Sequence, residues 1–294
     1  MSERSTSTRA DFDALWDYHD PAESERRFRA LLPGARERGD ASYLGQLLTQ
    51  IARTQGLQHR FEDAHETLDD IDDLSTHLPI VRIRYLLERG RVFNSSGHPA
   101  TATPLFLAAW ELASEEGEEF HAVDAAHMLG IVGPSERQLE WSLRALEIAE
   151  RSDDPRTRGW CGSLYNNIGW THHDLGDFPT ALSYFQQGLE RRQEEGKPRE
   201  AHIAAWTVAR ALRSLGRYDE ALAMQEENLR TAETAGEPDG FIHEEIGECL
   251  LALVRAHESR SHFARAHELL SSDPWLVTNE PERLERLERL AKRA

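Results

Sequence analysis

The sequence predicts an all-α fold: a right-handed superhelical α-solenoid built from helix hairpins that stack on one another. Apolar residues recur at three- and four-residue spacing along most of the 294 residues, as they do on one face of a helix. A small residue returns in the second helix of each predicted hairpin, at positions 64, 102, 142, 181, 221 and 266, which are 38, 40, 39, 40 and 45 residues apart. This recurrence predicts a repeat array with one continuous core.

The clearest hairpin lies between Tyr165 and Leu189. Gly176 separates its two helices, because glycine accepts the left-handed conformation that ends a helix. The apolar stripe of the second helix consists of Phe178, Ala181, Leu182, Phe185 and Leu189. Gly169 and Ala181 are small residues at the level where two antiparallel helices would approach closest. The stretch therefore predicts a tightly packed helix pair.

This hairpin resembles a tetratricopeptide repeat, whose pattern runs from a Leu-Gly pair through an aromatic, an alanine and a second aromatic to a proline. The matching residues are Ile168, Gly169, Phe178, Ala181, Phe185 and Pro198. The resemblance covers about residues 41–271, and longer helices and acidic loops extend the period beyond the usual ~34 residues. Repeats with longer helices of this kind occur in kinesin light chain and in bacterial peptide-sensing regulators. The resemblance implies that the first helices line a concave face and the second helices a convex one.

Four segments follow from this pattern. Residues 1–10 are polar and predicted to be disordered, and residues 11–40 form an N-terminal capping hairpin. Residues 41–271 hold six repeats, and residues 272–294 hold a linker and a C-terminal capping helix. The last repeat is predicted to turn at residues 256–262. After residues 273–275 an extended linker is predicted to lead to Asn279, which is predicted to cap the start of the final helix.

The charge is strongly acidic. Lys and Arg number 34 against 52 Asp and Glu, which gives a net charge of −18. An acidic surface repels nucleic acid and anionic membranes, so neither is expected as a partner. Only Lys197 and Lys292 are lysines, so the other 32 basic residues are arginines. Both a GC-rich genome and adaptation to high salt explain this composition, and the sequence leaves the choice open.

The sequence favours a cytoplasmic location. No apolar run approaches the roughly 18 residues that a membrane span requires, and the N-terminus has no apolar core of a secretory signal. Cys161 and Cys249 each lie within a helical pattern, so both are predicted to be free buried thiols. Free thiols are typical of a reducing compartment.

No catalytic or metal-binding motif is evident, and the sequence predicts neither an enzyme nor a cofactor. His243-Glu244-Glu245 begins like a zinc-protease helix, but Gly247 stands where the second histidine would be needed. His257 and His262 are five residues apart, which is the wrong spacing for one helix face. The histidines are therefore interpreted as solvated or capping residues.

The predicted concave face is rich in arginine. The residue after the small residue of each first helix is, in order, Arg53, Arg91, Ile131, Trp170, Arg210 and Arg255. Trp206 lies one turn before Arg210, and His173 and Arg213 are expected nearby. These residues are either ordinary solvated side chains or the lining of a groove that binds a carboxylate-bearing peptide. The second interpretation follows from the ability of arginine to bind a carboxylate through two parallel hydrogen bonds.

Asn166 and Asn167 are unusual in mid-helix, because their side chains compete for backbone hydrogen bonds. In related peptide-binding repeats an inner-face asparagine holds the peptide backbone, and the resemblance suggests the same role here. A hydrogen bond between helices is the alternative. The lysines of the carboxylate clamp found in chaperone-binding repeats are absent, which argues against binding of chaperone tails.

These observations predict a non-catalytic interaction scaffold that binds a protein or peptide partner with acidic or carboxylate groups. The alternative is a regulatory sensor for a signalling peptide or a small anionic ligand, although no effector domain is evident. The sequence does not name the partner and leaves the oligomeric state open. The predicted binding residues are Arg53, Arg91, Asn166, Asn167, Trp170, His173, Trp206, Arg210, Arg213 and Arg255.

Overall fold

The computed structural model describes residues 12–133 and 135–292. The predicted disorder of residues 1–10 falls outside these ranges. The chain divides into two compact units: unit 1 ends at Trp160 and unit 2 begins at Cys161. Within the described ranges every regular element is a helix, so the prediction of an all-α solenoid of helix hairpins is confirmed.

Unit 1 contains three helix hairpins, preceded by a short 3₁₀ helix and a single long helix. Its elements are the 3₁₀ helix Asp13–Leu15, α1 (Pro21–Arg38), α2 (Ala41–Leu57), α3 (Phe61–Asp69), α4 (Asp72–Ser75), α5 (Pro79–Ser95), α6 (Pro99–Glu116), α7 (Glu119–Val132), α8 (Ser135–Arg151) and α9 (Pro155–Arg158). The pairs α2–α3, α5–α6 and α7–α8 are the first three predicted repeats.

Unit 2 contains three more hairpins and a closing helix. Its elements are α10 (Cys161–Asp174), α11 (Phe178–Glu194), α12 (Pro198–Ser214), α13 (Tyr218–Ala235), α14 (Gly240–Ala252), α15 (Ala256–Leu270), α16 (Pro274–Asn279) and α17 (Pro281–Lys292). The first helix of each pair packs on that of the next through a core that includes Val208, Leu212, Ile246 and Cys249. Both cysteines are buried, as predicted, and neither forms a disulfide within the described chain.

Small residues act as predicted in the hairpins where a glycine of the first helix lies against a phenylalanine of its partner helix. A Cβ atom added at Gly169 would lie 2.5 Å from the ring of Phe185, which is almost fully buried. The same contact recurs in the last hairpin between Gly247 and Phe263, which are also separated by 16 residues. Close packing of this kind leaves no room for a side chain at the glycine.

The predicted turn of the last repeat is wrong. Residues 256–262 belong to α15, and the chain turns earlier, between Ala252 and Ala256. Val254 adopts the left-handed conformation there, with φ of 62°. The corresponding turns of the two preceding hairpins use Gly176 and Gly216 with φ of 79° and 74°. Because valine rarely takes this conformation, no turn signal is visible in the sequence at that point.

The linker is also more helical than predicted. The stretch expected to be extended after Asp273 forms α16, because Pro274 suits the first turn of a helix and the Asp273 carboxylate accepts a hydrogen bond from the Trp275 amide at 2.8 Å. Asn279 ends this helix, where the sequence predicted that it would start the next one.

Replacing Val254 with glycine should raise the free energy of unfolding of unit 2 by about 1 kcal/mol. The left-handed conformation costs a residue with a Cβ roughly 1–2 kcal/mol, and the greater freedom of glycine in the unfolded chain offsets part of the gain. The Val254 side chain is 90% exposed, so little packing is lost. Urea denaturation followed by circular dichroism measures the change. The reverse change, Gly216→Val, should destabilise the unit, and a neutral or destabilising Val254→Gly would contradict the expectation.

Candidate binding surface

The first helices of unit 2 present a regular set of side chains at fixed offsets from the small residues Gly169, Ala209 and Gly247. Positions three before, one after and four after each small residue follow the i, i+4, i+7 spacing of one helix face. These side chains are Asn166, Trp170 and His173 on α10, Trp206, Arg210 and Arg213 on α12, and Glu244, Glu248 and Leu251 on α14. We call this set the unit 2 inner face.

Two tryptophans form its apolar part. The rings of Trp170 and Trp206 lie 6.1 Å apart, centroid to centroid, at an interplanar angle of 37°. Trp206 Nε1 donates a hydrogen bond to the carbonyl of Phe241 at 3.1 Å, which fixes the orientation of the indole. The ring of Trp170 also packs edge-on against buried Phe185. Both indoles are therefore held rigidly and remain partly open to solvent.

A hydroxyl group links His173 to Arg210. Ser214 Oγ donates to the Arg210 carbonyl at 3.1 Å and accepts from Arg210 Nη1 at 2.8 Å. The same oxygen lies 2.9 Å from His173 Nε2, and the tautomer of the ring decides which of the two atoms donates. Burial and the nearby Arg210 charge lower the pKa of His173, which agrees with a neutral ring. The arrangement aligns the Arg210 guanidinium.

Arg210 differs from its neighbour in having no carboxylate partner. Arg213 forms a two-pronged ion pair with Glu245 of α14, with Nη2 3.2 Å from Oε2. Within the described residues no Asp or Glu lies within ion-pair distance of Arg210. Burial, followed by repulsion from Arg213, lowers the pKa of Arg210, although the group stays charged at neutral pH. Arg210 is thus a partly buried cation with spare hydrogen-bond donors.

The last helix neutralises the far end of this face. Arg283 of α17 binds Glu244, with Nη2 2.6 Å from Oε2, and packs over the Phe241 ring at 5.0 Å. One turn later Arg286 forms an ion pair with Glu248. The carboxylates of α14 are therefore already paired, and the unpaired polar groups lie on α10 and α12.

The two asparagines border a cavity of about 230 Å³ between α10, α11 and α12. Asn166, Asn167, Ile203 and Thr207 line it, and Ile203 is exposed. Neither asparagine side chain bonds to another residue of the described chain. The alternative role, a hydrogen bond between helices, therefore has no counterpart here.

The predicted residues of unit 1 lie in an ion-pair network. Arg91 Nη1 lies 2.5 Å from Glu88 Oε1, and its Nη2 pairs with Asp124. Arg53 Nη1 lies 3.4 Å from Glu88 Oε2. Glu88 and Asp124 are buried, so the charge of Arg91 is compensated within the protein.

Arg255 does not lie on a first helix. It is the N-cap residue of α15 in the turn after Val254, and it pairs with Glu258 at 2.6 Å in solvent. The sequence prediction continued the apolar spacing of α14 through the turn, and this error placed Arg255 on the helix. The residue of α14 that follows the small residue Gly247 on the inner face is Glu248. We therefore leave Arg255 out of the candidate surface.

Two features escaped the sequence analysis. His243 and His262, considered separately as poor metal ligands, meet across α14 and α15 with their Nδ1 atoms 3.1 Å apart. Within the described chain, however, no three His, Cys, Asp or Glu side chains group as a metal site requires. The second feature is the segment from Phe12 to Tyr18, which packs on the first helices of unit 1.

No helix among the described residues is both long and apolar enough to cross a membrane. A family model for the tetratricopeptide repeat matches residues 162–195 and 207–237, both within unit 2. The outer dynein arm-docking complex subunit 4 of Bos taurus is 28% identical over 138 residues, which are 46% of this chain and 20% of that protein. The chain thus spans only about a fifth of the length of this relative.

Solved structures show the same fold. The apo form of RapI superposes with a TM-score of 0.76 at 11% identity, over 95% of this chain and 79% of that one. The apo quorum sensor NprR from B. thuringiensis gives 0.66 at 15% identity, over 95% and 78%. Stacked hairpins with a glycine-to-aromatic contact define a helical repeat protein. The chain thus has the fold of a tetratricopeptide repeat protein, and the family model identifies two such repeats in unit 2.

Proposed function

We propose that this scaffold captures a carboxylate-bearing peptide segment of a partner protein on the unit 2 inner face. One observation carries the proposal: Arg210 is a partly buried guanidinium without a carboxylate partner among the described residues, whereas Arg213, Arg283 and Arg286 are paired. A carboxylate from outside the chain would supply the missing partner through charge-assisted hydrogen bonds.

The neighbouring groups suit a peptide. Trp170 and Trp206 provide rigid aromatic surface, and tryptophan and arginine are the residue types that contribute most to binding energy at interfaces. The amides of Asn166 and Asn167 each offer a donor and an acceptor to a peptide backbone. Although the chain carries a net charge of −18, the partly buried Arg210 makes this face a local site of positive charge that attracts a carboxylate.

The comparisons favour protein partners. The bovine relative is a subunit of a docking complex, and a solved structure of NprR contains its cognate peptide NprX. The likeness to NprR also favours a second candidate, a sensor that binds a signalling peptide on the same face. The cytoplasmic location stays a prediction.

The test is a selection of random peptides displayed on phage against the full chain, followed by affinity measurements on the selected peptides. We expect enrichment of Asp, Glu and aromatic residues. Arg210→Ala should weaken binding about ten- to a hundredfold, because a hydrogen bond to a charged group contributes about 1.5–3 kcal/mol. Arg230→Ala on α13, which removes an exposed arginine paired with Glu227, is the matched control and should change nothing. Selected peptides without carboxylates, or equal affinity for Arg210→Ala, would refute the proposal.

A further inference from the structure

The first helices of unit 1 are covered by a segment of the chain itself. Residues 12–18, here called the N-terminal segment, contain a single 3₁₀ turn. Trp16 Nε1 donates to Gln50 Oε1 of α2 at 3.0 Å, and the Arg53 guanidinium lies 6.0 Å from the Trp16 ring. The segment thus occupies the same face of unit 1 on which the sequence predicted a peptide groove.

A second aromatic residue and a carboxylate complete the contact. Phe12 is 3% exposed, and its ring packs edge-on against Phe28 at 6.0 Å. The guanidinium of Arg84 lies 5.9 Å from the Phe12 ring. Asp13 Oδ2 lies 3.0 Å from Arg156 Nε. The segment therefore binds through two aromatic anchors four residues apart and an aspartate, each matched to an arginine.

The charged part of the surface below the segment is held by ion pairs that involve no residue of the segment. Arg53 and Arg91 bind Glu88, and Arg91 also binds Asp124, so these side chains are fixed by residues of α2, α5 and α7. A cavity of about 180 Å³ remains beside the segment. A preformed surface of this kind stays available when the segment leaves.

The N-terminal segment is held by backbone hydrogen bonds at Asp17 and by the inserted side chains that precede it. Ser24 of α1 holds Asp17 from both sides, accepting from the Asp17 amide at 2.7 Å and donating to its carbonyl at 3.0 Å. Tyr18 stacks on Trp16 at 4.8 Å but is 61% exposed. The residues before Asp17 insert the side chains of Phe12 and Trp16, which both contact Phe28 of α1, and the backbone of Asp17 fixes the end of the segment to α1.

We propose that the N-terminal segment is a displaceable internal ligand, and that this face of unit 1 binds in trans a partner segment of the same chemistry. That partner carries two aromatic residues four apart, with aspartates beside them, as in Phe12-Asp13-Ala14-Leu15-Trp16-Asp17. A tethered ligand acts at an effective concentration of about millimolar, so it excludes weak ligands and yields to a tighter one. This site is separate from the unit 2 inner face, so each proposal can fail alone.

The test uses the full chain carrying Phe12→Ala and Trp16→Ala, with a fluorescent synthetic peptide of residues 11–20 as the probe. The double variant should bind the peptide at least tenfold more tightly than the wild-type chain, because its own segment no longer competes. A peptide with both aromatic residues replaced by serine should not bind. Trp275→Ala, which removes an exposed tryptophan of unit 2, should behave like the wild type.

Several outcomes would overturn the proposal. A double variant with unchanged helical content that fails to bind the peptide would make the segment a purely structural cap. Equal binding by the wild-type chain would show that the segment does not compete. A wild-type dimer by light scattering that becomes monomeric in the double variant would make a second copy the occupant. If the double variant unfolds, Asp13→Arg repeats the test, because it opposes Arg156 and keeps both aromatic anchors; unchanged peptide affinity would then refute the proposal.

Discussion

Replacing Arg91 with alanine should lower the free energy of unfolding of unit 1 by about 3–5 kcal/mol. The Arg91 side chain is 15% exposed, and its partners Glu88 and Asp124 are 7% and 10% exposed. Removing one member of a buried ion pair leaves the other charge without compensation in a medium that solvates it poorly. Urea denaturation measures the loss, and hydrogen exchange of unit 1 peptides locates it.

A matched surface pair provides the control for this experiment. Arg151 and Glu147 on α8 form an exposed ion pair at 3.2 Å, and Arg151→Ala should change the stability by less than about 1 kcal/mol. Replacing Arg91 with Met, and Glu88 and Asp124 with Leu, should restore most of the stability, because the three most buried charges are removed together and Arg53, which loses Glu88, keeps access to solvent. Equal losses of stability for Arg91→Ala and Arg151→Ala would show that burial does not determine how much the Arg91 ion pairs contribute.

Replacing Gly169 with alanine should destabilise unit 2 by about 2 kcal/mol. The added Cβ would lie 2.5 Å from Cε1 of Phe185, whose ring is almost fully buried. Overpacking of a close-packed core costs roughly 1–3 kcal/mol, which exceeds the gain of up to about 1 kcal/mol in helix propensity. Thermal and urea denaturation both measure the effect.

The same hairpin contains its own control. A Cβ at Gly188 of α11 would meet the Tyr165 Cβ at 3.4 Å, an ordinary contact. Gly188→Ala should therefore stabilise the unit by up to about 1 kcal/mol through helix propensity alone. Opposite signs for the two substitutions are the expected result. The same sign for both would contradict the argument from close contact.

The repeat pattern was predictable because it depends on local chemistry. The spacing between Gly169 and Phe185 follows from the length of a helix hairpin, and a sequence shows that spacing directly. Turns marked by glycine were predictable for the same reason. The turn at Val254 was not, because valine gives no sign of a left-handed conformation, and that error displaced Arg255 onto a helix where it does not lie.

Charge compensation could not be predicted from the sequence. Arg91, Arg210 and Arg213 look equivalent in the pattern, yet Arg91 and Arg213 are paired and Arg210 is not. Pairing depends on a residue of the next first helix, 32 or 33 positions away, and on the directions of both side chains. The docking of Trp16 on Gln50 is of the same kind, since it joins residues 34 positions apart.

The last helix shows how this array could be lengthened. Arg283 and Arg286 lie 39 and 38 residues after their partners Glu244 and Glu248, which is about one repeat period. α17 therefore occupies the place that the first helix of a further repeat would take. A complete hairpin inserted between Leu270 and Pro274 would meet an acidic helix on one side and a basic helix on the other. The junction between α14 and α17 could therefore accept a further repeat, and the opposite charges of these two helices would specify which repeat fits.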